Sequence, residues 1–393
     1  MAGRSGLTAP PASPQSPAAP GRPWDDVPDD ILVRVSAFLP CRADRAHMAC
    51  ANPRWSAAVR GIGRPPLPPQ LPWLIFPSTE APTFYSPIAD CYHRIGGLPP
   101  DVRRARCCGS GDGGWLVLAF DDGLAPHAHA LYNLDSGRRV PFPPAFVPTP
   151  ASANMDRTPF DMRVAALSSS APYKVAAVVL ADGALTPALW AEGCQWWGSP
   201  APLHNLGLQD AIFDEDRFYF LTSGENVIER WDYDQDVNLI RRNGTMKHYL
   251  VPSRGHLLMV VRYVFDHDDE GTRPAVDLIR VFELFYPPRI NCVSPEPFWR
   301  DLLGDLDGRM LFLGPGCSRS FEVDDYDDIA FQESMIYFLD EGLVSEPTED
   351  GRGWFLFTDM GRFSTEEMHM AAEPWPEGHP QGSDNAPPTW WLH

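Results

Sequence analysis

A chain of 393 residues, 44% hydrophobic and 11% aromatic, is long enough for a small module beside one large cored domain. Its formal net charge of −20 argues against nucleic acid as a main partner, because a polyanion would be repelled. No apolar run approaches the ~18–20 residues of a membrane-spanning helix, so no membrane partner is expected either.

Residues 1–23, MAGRSGLTAPPASPQSPAAPGRP, are rich in Pro, Ala and Ser and lack the apolar stretch of a secretory signal. They read as a disordered tail, with a Pro-rich docking segment and a transit peptide as alternatives. The eight cysteines, Cys41, Cys50, Cys91, Cys107, Cys108, Cys194, Cys292 and Cys317, are scattered and form no C-x-x-C pair. That pattern fits reduced thiols of the cytoplasm or nucleus, not a disulfide frame or a zinc site.

The next segment, VPDDILVRVSAFLP from Val27 to Pro40, predicts a helix of about three turns. Pro28 suits the first helical position, and Asp29 and Asp30 place negative charge at the positive end of the helix dipole. Val27, Ile31, Val35 and Phe38, with Leu32 and Leu39 offset by one, form an apolar stripe, and Pro40 stops the helix. A helix this short is marginal alone, so the stripe must pack on the chain's own core or on a partner. A second helix is predicted over Asp44 to Ala51. Asn52 is a good N-cap, Pro53 suits the next N1 position, Trp55 and Val59 share a face, and Gly61 ends the third helix. From Ile31 to Arg64, six arginines (Arg34, Arg42, Arg45, Arg54, Arg60, Arg64) against the single acid Asp44 give a charge of +5, leaving −25 for the rest. Such a segment could meet an acidic partner, or be a set of solvated helix faces.

Residues 65–72 are a Pro-rich connector leading to a first strand at Trp73 to Phe76. Beyond it the texture is mainly β. Short apolar runs such as GWLVLAF, HALYNL, KVAAVVL, FYFL, LLMVVRYVF, DLIRVFEL, RMLFL, SMIYFL and GWFLF are bounded by Gly, Asp and Ser turns. About 320 residues at ~40–50 per four-stranded blade suit a β-propeller of six or seven blades over 73–393.

Several motifs have a plainer reading beside the chemical one. GSGDGG, Gly109 to Gly114, matches G-x-G-x-x-G but precedes a strand, so a hairpin is expected instead of a phosphate cradle. Asp232, Asp234 and Asp236 open like a calcium loop but lack its later Gly and Glu. Asp324, Asp325, Asp327 and Asp328 read as an exposed loop that could contact a basic partner. His127 and His129 would face one side of a strand, with no third metal ligand at a fitting spacing. GCSRS, Gly316 to Ser320, misses the last glycine of a nucleophile elbow. Trp196, Trp197, Trp231, Trp390 and Trp391 suit blade packing better than a sugar platform. No catalytic constellation emerges, so no enzyme activity, cofactor or metal is expected.

The helical segment resembles the F-box. The resemblance is carried by Val27-Pro28, Ile31, Leu32, Val35, Phe38-Leu39-Pro40, Asp44 and Trp55. The remainder resembles the plant F-box-associated β-propeller family, long catalogued as a domain of unknown function. It does so through LPPQLPWLIFP, GWLVL, LYNLDSG, HYLVPSRGHLLMVVR, LGDLDGRMLFLGPG, MIYFLDEG and PPTWW, in family order. Two departures stand out: the family's usual Leu-Pro is Val27-Pro28, and its usual Val-Cys is Ala51-Asn52. The resemblance implies an F-box over 24–64 that docks a Skp-family adaptor through Val27, Pro28, Ile31, Leu32, Val35, Phe38, Leu39, Pro40 and Trp55. Through that adaptor it would reach a cullin-based ubiquitin ligase, and the propeller would hold a target protein of unknown identity. Two alternatives stay open. One is a propeller that sequesters a regulator without ubiquitination; the other is a propeller enzyme or sugar-binding protein.

Overall fold

The structure is a computed structural model that describes residues 26–60, 69–120, 128–144, 146–147, 158–199, 207–222, 244–265, 275–287, 297–302, 304–326, 331–339, 343–345, 354–357, 360–370, 375–384 and 386–392. The tail 1–23, residues 65–68 of the connector, Gly61, His127, Trp231, the Asp232–Asp236 motif, Asp327 and Asp328 lie outside the described residues. The chain divides into two compact units, Met1–Leu67 and Pro68–His393.

The first unit contains helices α1 (Asp29–Ala37), α2 (Arg42–Ala51) and α3 (Pro53–Arg60). Pro28 is the N-cap of α1, one position earlier than expected: its ψ of 146° is extended, and the helix begins with Asp29. Its carbonyl still accepts the Leu32 N–H, the first bond of the helix. Helix α2 starts two residues before the expected Asp44. Cys41 is extended at its N-cap, which places Asp44 in the first turn, where the dipole favours a carboxylate. Asn52 caps α3 as expected, its Oδ1 accepting the Trp55 N–H at 2.9 Å. A small core of Leu32, Met48, Ala58 and Val59 holds the three helices together, with Val27, Val33, Leu39, Ala49 and Trp55 packed around it.

The second unit is built of strands, and all nine apolar runs form them. Trp115–Phe120 is buried at all six positions. A strand covered on both faces needs no polar alternation, and this explains why the runs are continuously apolar. The first sheet has the order Thr389–Trp391, Trp73–Phe76, Thr83–Ser86, Cys91–Arg94. The second runs Arg106–Gly111, Trp115–Phe120, Ala128–Asn133, Arg139–Pro141. The third is Phe146–Val147, Trp197–Gly198, Ala184–Ala191, Lys174–Ala181, Phe160–Leu167, and the fourth is the hairpin Leu208–Asp214 with Arg217–Thr222. Gly244–Ser253, His256–Phe265, Ala275–Phe285 and Phe298–Asp301 make the fifth. The sixth is Arg319–Glu322, Arg309–Leu313, Met335–Phe338, Gly361–Ser364, His369–Met370; Leu343–Ser345, Trp354–Leu356 and Gly382–Ser383 form a seventh. A short helix unforeseen in the sequence, α4 (Pro100–Arg103), joins the first sheet to the second; Pro99 caps it and Pro100 fixes its first φ.

Contacts between successive sheets trace a propeller ring. Gly114 N–H donates to the Leu392 carbonyl, joining second sheet to first. Arg106 donates to Asp161 and to the Met162 carbonyl, joining second to third. Val164, Ala166 and Val178 pack with Leu208 and Ala211 between third and fourth. Arg309 donates to Ser253 Oγ at 2.9 Å, joining sixth to fifth. Trp390, fully buried, donates through Nε1 to the Leu313 carbonyl at 2.9 Å and so closes the ring from sixth back to first. Among the described residues five sheets have the four or five strands of a full blade, fewer than the six or seven expected; the fourth sheet enters with two. The expectation divided chain length by an average blade. Here the strands Gly244–Ser253, His256–Phe265 and Ala275–Phe285 run to ten or eleven residues, so fewer blades take up more chain.

Candidate functional site

The nine residues singled out in the helical unit do not form one stripe. Successive helical residues are ~100° apart, so Ile31 and Leu32 face different directions. Leu32 points inward and is 2% exposed, with Val27, Leu39 and Trp55 half-buried around the same core. Ser36, one turn on from Leu32, is also buried; its hydroxyl donates to the Val33 carbonyl at 2.8 Å, which satisfies it without a partner side chain. Ile31, Val35 and Phe38 point outward, 40%, 43% and 79% exposed. Their i, i+4, i+7 spacing lines them up along one side of α1. Pro28 is exposed at the entry to this line, and Pro40 is half-buried beyond its end.

The unit holds the outward line rigidly. The Phe38 N–H donates to the Arg34 and Val35 carbonyls, closing the last turn of α1 beneath its own exposed ring. Arg45 is buried and donates to the Leu39 and Pro40 carbonyls, fixing the corner between α1 and α2. The sequence counted Arg45 among the surface arginines; only a folded corner reveals that its charge is spent on two carbonyls. Arg54 donates to Asp29 Oδ1 at 2.6 Å, tying α3 to the start of α1. Both partners are well exposed, so this pair adds little stability. Arg34 and Arg60 remain at the surface, and Ala51 is exposed at the end of α2. The arrangement presents an apolar ridge of three exposed side chains along α1, with Arg34 on the same helix.

In the propeller unit the sequence motifs resolve into architecture. Gly109 and Gly111 lie in the strand Arg106–Gly111, and Gly113 and Gly114 turn the hairpin with positive φ. A Cβ at Gly109 would collide with the Ala165 carbonyl of the neighbouring sheet, which is why glycine stands there. His129 is buried; its Nε2 accepts the Met162 N–H at 3.3 Å and its ring stacks on Phe160. It therefore links second sheet to third. Gly316 to Ser318 make a turn between antiparallel strands, with Ser318 Oγ bonded back to Gly314. Trp197, Trp390 and Trp391 are buried in the blades, whereas Trp196 is 46% exposed. Asp324 and Asp325 lie exposed in a short 3-10 turn, Val323–Tyr326.

Sequence reasoning missed Asp210. It is 1% exposed, and its carboxylate accepts the N–H groups of Ala211 at 2.8 Å, Leu250 at 3.0 Å and Gly316 at 2.8 Å. One side chain thus gathers the fourth sheet, the fifth sheet and the turn of the sixth. Nothing local in LGLQDAIF announces that role, because two of its partners lie far away in the chain. An apolar cleft of about 40 Å³ between first and second sheets is lined by Ile75, Val102, Cys107, Leu116 and Leu118 among others, room for about one water.

Fold and site together define a β-propeller protein with a three-helix module at its N-terminal side. A profile of the KIB1-4 β-propeller matches residues 84–369, most of the chain, and the protein belongs to that family. No curated protein matches it.

Proposed function

We propose that the chain is the substrate-recognition subunit of a Skp–cullin–F-box ubiquitin ligase. In this reading α1–α3 are an F-box that docks a Skp-family adaptor and through it a cullin, and the propeller holds a target protein. The observation that carries it is the outward line of Ile31, Val35 and Phe38, which the helical unit's own core leaves unused. The chain itself does no covalent chemistry: it raises the effective concentration of target lysines near a charged conjugating enzyme, in the cytoplasm or nucleus. The family membership supports the propeller half to the extent that a β-propeller is compatible with a protein-interaction role.

The test is co-purification of the full chain with a plant Skp-type adaptor. Val35→Asp with Phe38→Asp should abolish adaptor recovery while the far-ultraviolet circular dichroism stays that of the parent. Undiminished recovery would sink the reading. A second reading keeps the propeller as a binding scaffold that works without ubiquitination. It is favoured by Ala51-Asn52, which leaves only an exposed methyl group where the F-box family carries more apolar surface. Target levels insensitive to proteasome inhibition would select it.

A further inference from the structure

We propose that Cys91 and His93 form a thiol–imidazole pair that makes Cys91 a modification site for hydroperoxides and other soft electrophiles. The strand Cys91–Arg94 is the outer edge of the first sheet, paired on one side by Thr83–Ser86. Residues two apart on a strand share a face, and here Cys91 Sγ lies 3.1 Å from His93 Nε2. The imidazole is positioned from behind: it stacks on Phe84 at 4.9 Å between centroids, and Phe84 stacks on Trp73 at 4.0 Å. A nucleophile beside a base that is itself held in place is the arrangement that activates a thiol.

The ring nitrogen takes the S–H proton, leaving a thiolate beside an imidazolium. Asp90, next in the chain, accepts the Tyr85 hydroxyl at 2.7 Å, and Arg94 follows His93 on the strand. The buried thiols make a contrast. Burial pushes Cys317 up to about 12 and raises Cys108 as well, which keeps them protonated and inert. Cys91 is half-buried, open enough for a small reagent. With a hydroperoxide the thiolate attacks the terminal oxygen and an S–O bond forms as the O–O bond breaks. The leaving oxygen takes the proton of the imidazolium. Sulfur is oxidised by two electrons to the sulfenic acid, and the hydroperoxide is reduced to water or an alcohol.

The experiment is a timed reaction of the reduced full chain with iodoacetamide at neutral pH, followed peptide by peptide by mass spectrometry. Cys91 should be alkylated about tenfold faster than the exposed Cys194, which lies in the same unit. His93→Asn should bring Cys91 down to the Cys194 rate and leave Cys194 unchanged. A wild-type rate at Cys91 no greater than that at Cys194, or one indifferent to His93→Asn, overturns the proposal. The wild-type comparison decides even if the variant misfolds. After hydrogen peroxide, dimedone should trap a sulfenic acid at Cys91; its absence overturns the hydroperoxide assignment.

Discussion

Asp210 illustrates how much a single buried group can hold. Three backbone N–H groups converge on its carboxylate, and each would be left without that acceptor by Asp210→Ala. An orphaned buried donor costs ~1–3 kcal/mol, so a loss of about 3 kcal/mol or more is expected, read as a lower denaturant midpoint. Asp210→Asn, which keeps one acceptor oxygen, should lose less. His248 carries a pH signature. It bonds Gln209 Oε1 through Nδ1 at 2.6 Å, and burial holds its pKa below the ordinary histidine value. The unfolded chain therefore binds a proton that the folded chain refuses. The stability His248 contributes is present above about pH 6.5 and is lost as the pH falls through its lowered folded value. Thermal melts at pH 7 and pH 5 should show a smaller difference in His248→Gln than in the parent; an equal difference would exclude the histidine. Glu322 works on the same side of the scale, at lower pH. The hydrogen bond from Arg254 lowers its pKa, so its share of stability is present above about pH 4.5 and disappears as the pH falls further.

At the scale of the element, α1 divides its labour between two neighbouring lines of residues. Leu32→Ala should cost the helical unit ~2–5 kcal/mol, because a fully buried leucine leaves a cavity among Met48, Ala58 and Val59. Ile31→Ala and Phe38→Ala should leave the melting of that unit nearly unchanged, since both side chains stand in solvent. Finding the reverse order would mean that the inward and outward lines had been exchanged. The sequence carried the existence, caps and approximate ends of these helices, because Pro28, Asn52 and Pro53 act locally. It did not carry the split. A 100° step separates Ile31 from Leu32, but which of them meets the core depends on where α2 and α3 lie. The strands were legible for a similar reason: Trp115–Phe120 is apolar throughout because both of its faces are covered. Arg45 and Asp210 were not, since the carbonyls and amides they serve come together only once the chain has turned. The Cys91–His93 pair was written in the sequence as an i, i+2 spacing on a run too short to look like a strand.

The whole propeller depends on its ends meeting. Trp73–Phe76 pairs with Thr389–Trp391, and Trp390 reaches across to the Leu313 carbonyl. Trp390→Ala should cost ~3–5 kcal/mol and lower the single melting transition of the propeller, whereas Trp196→Ala at an exposed position should not. Scanning calorimetry of the two variants checks this. The blade number was the least legible property. It follows from how strands are shared among sheets, as in the parallel pairing of Leu311–Leu313 with Ile336–Phe338, and no local pattern reports that.

The same closure sets an order of events during synthesis. Trp73 to Phe76 leave the ribosome first of the propeller's strands, and Thr389–Trp391, which covers their open edge, leaves it only after every other strand of the unit. Until then Leu74 and Ile75 present an unpaired apolar edge, the kind of surface that chaperones shield and that drives aggregation when they do not. A chain cut before Thr389 would have every other sheet in place and that one edge bare. Quality control would then be reading the absence of a three-residue strand.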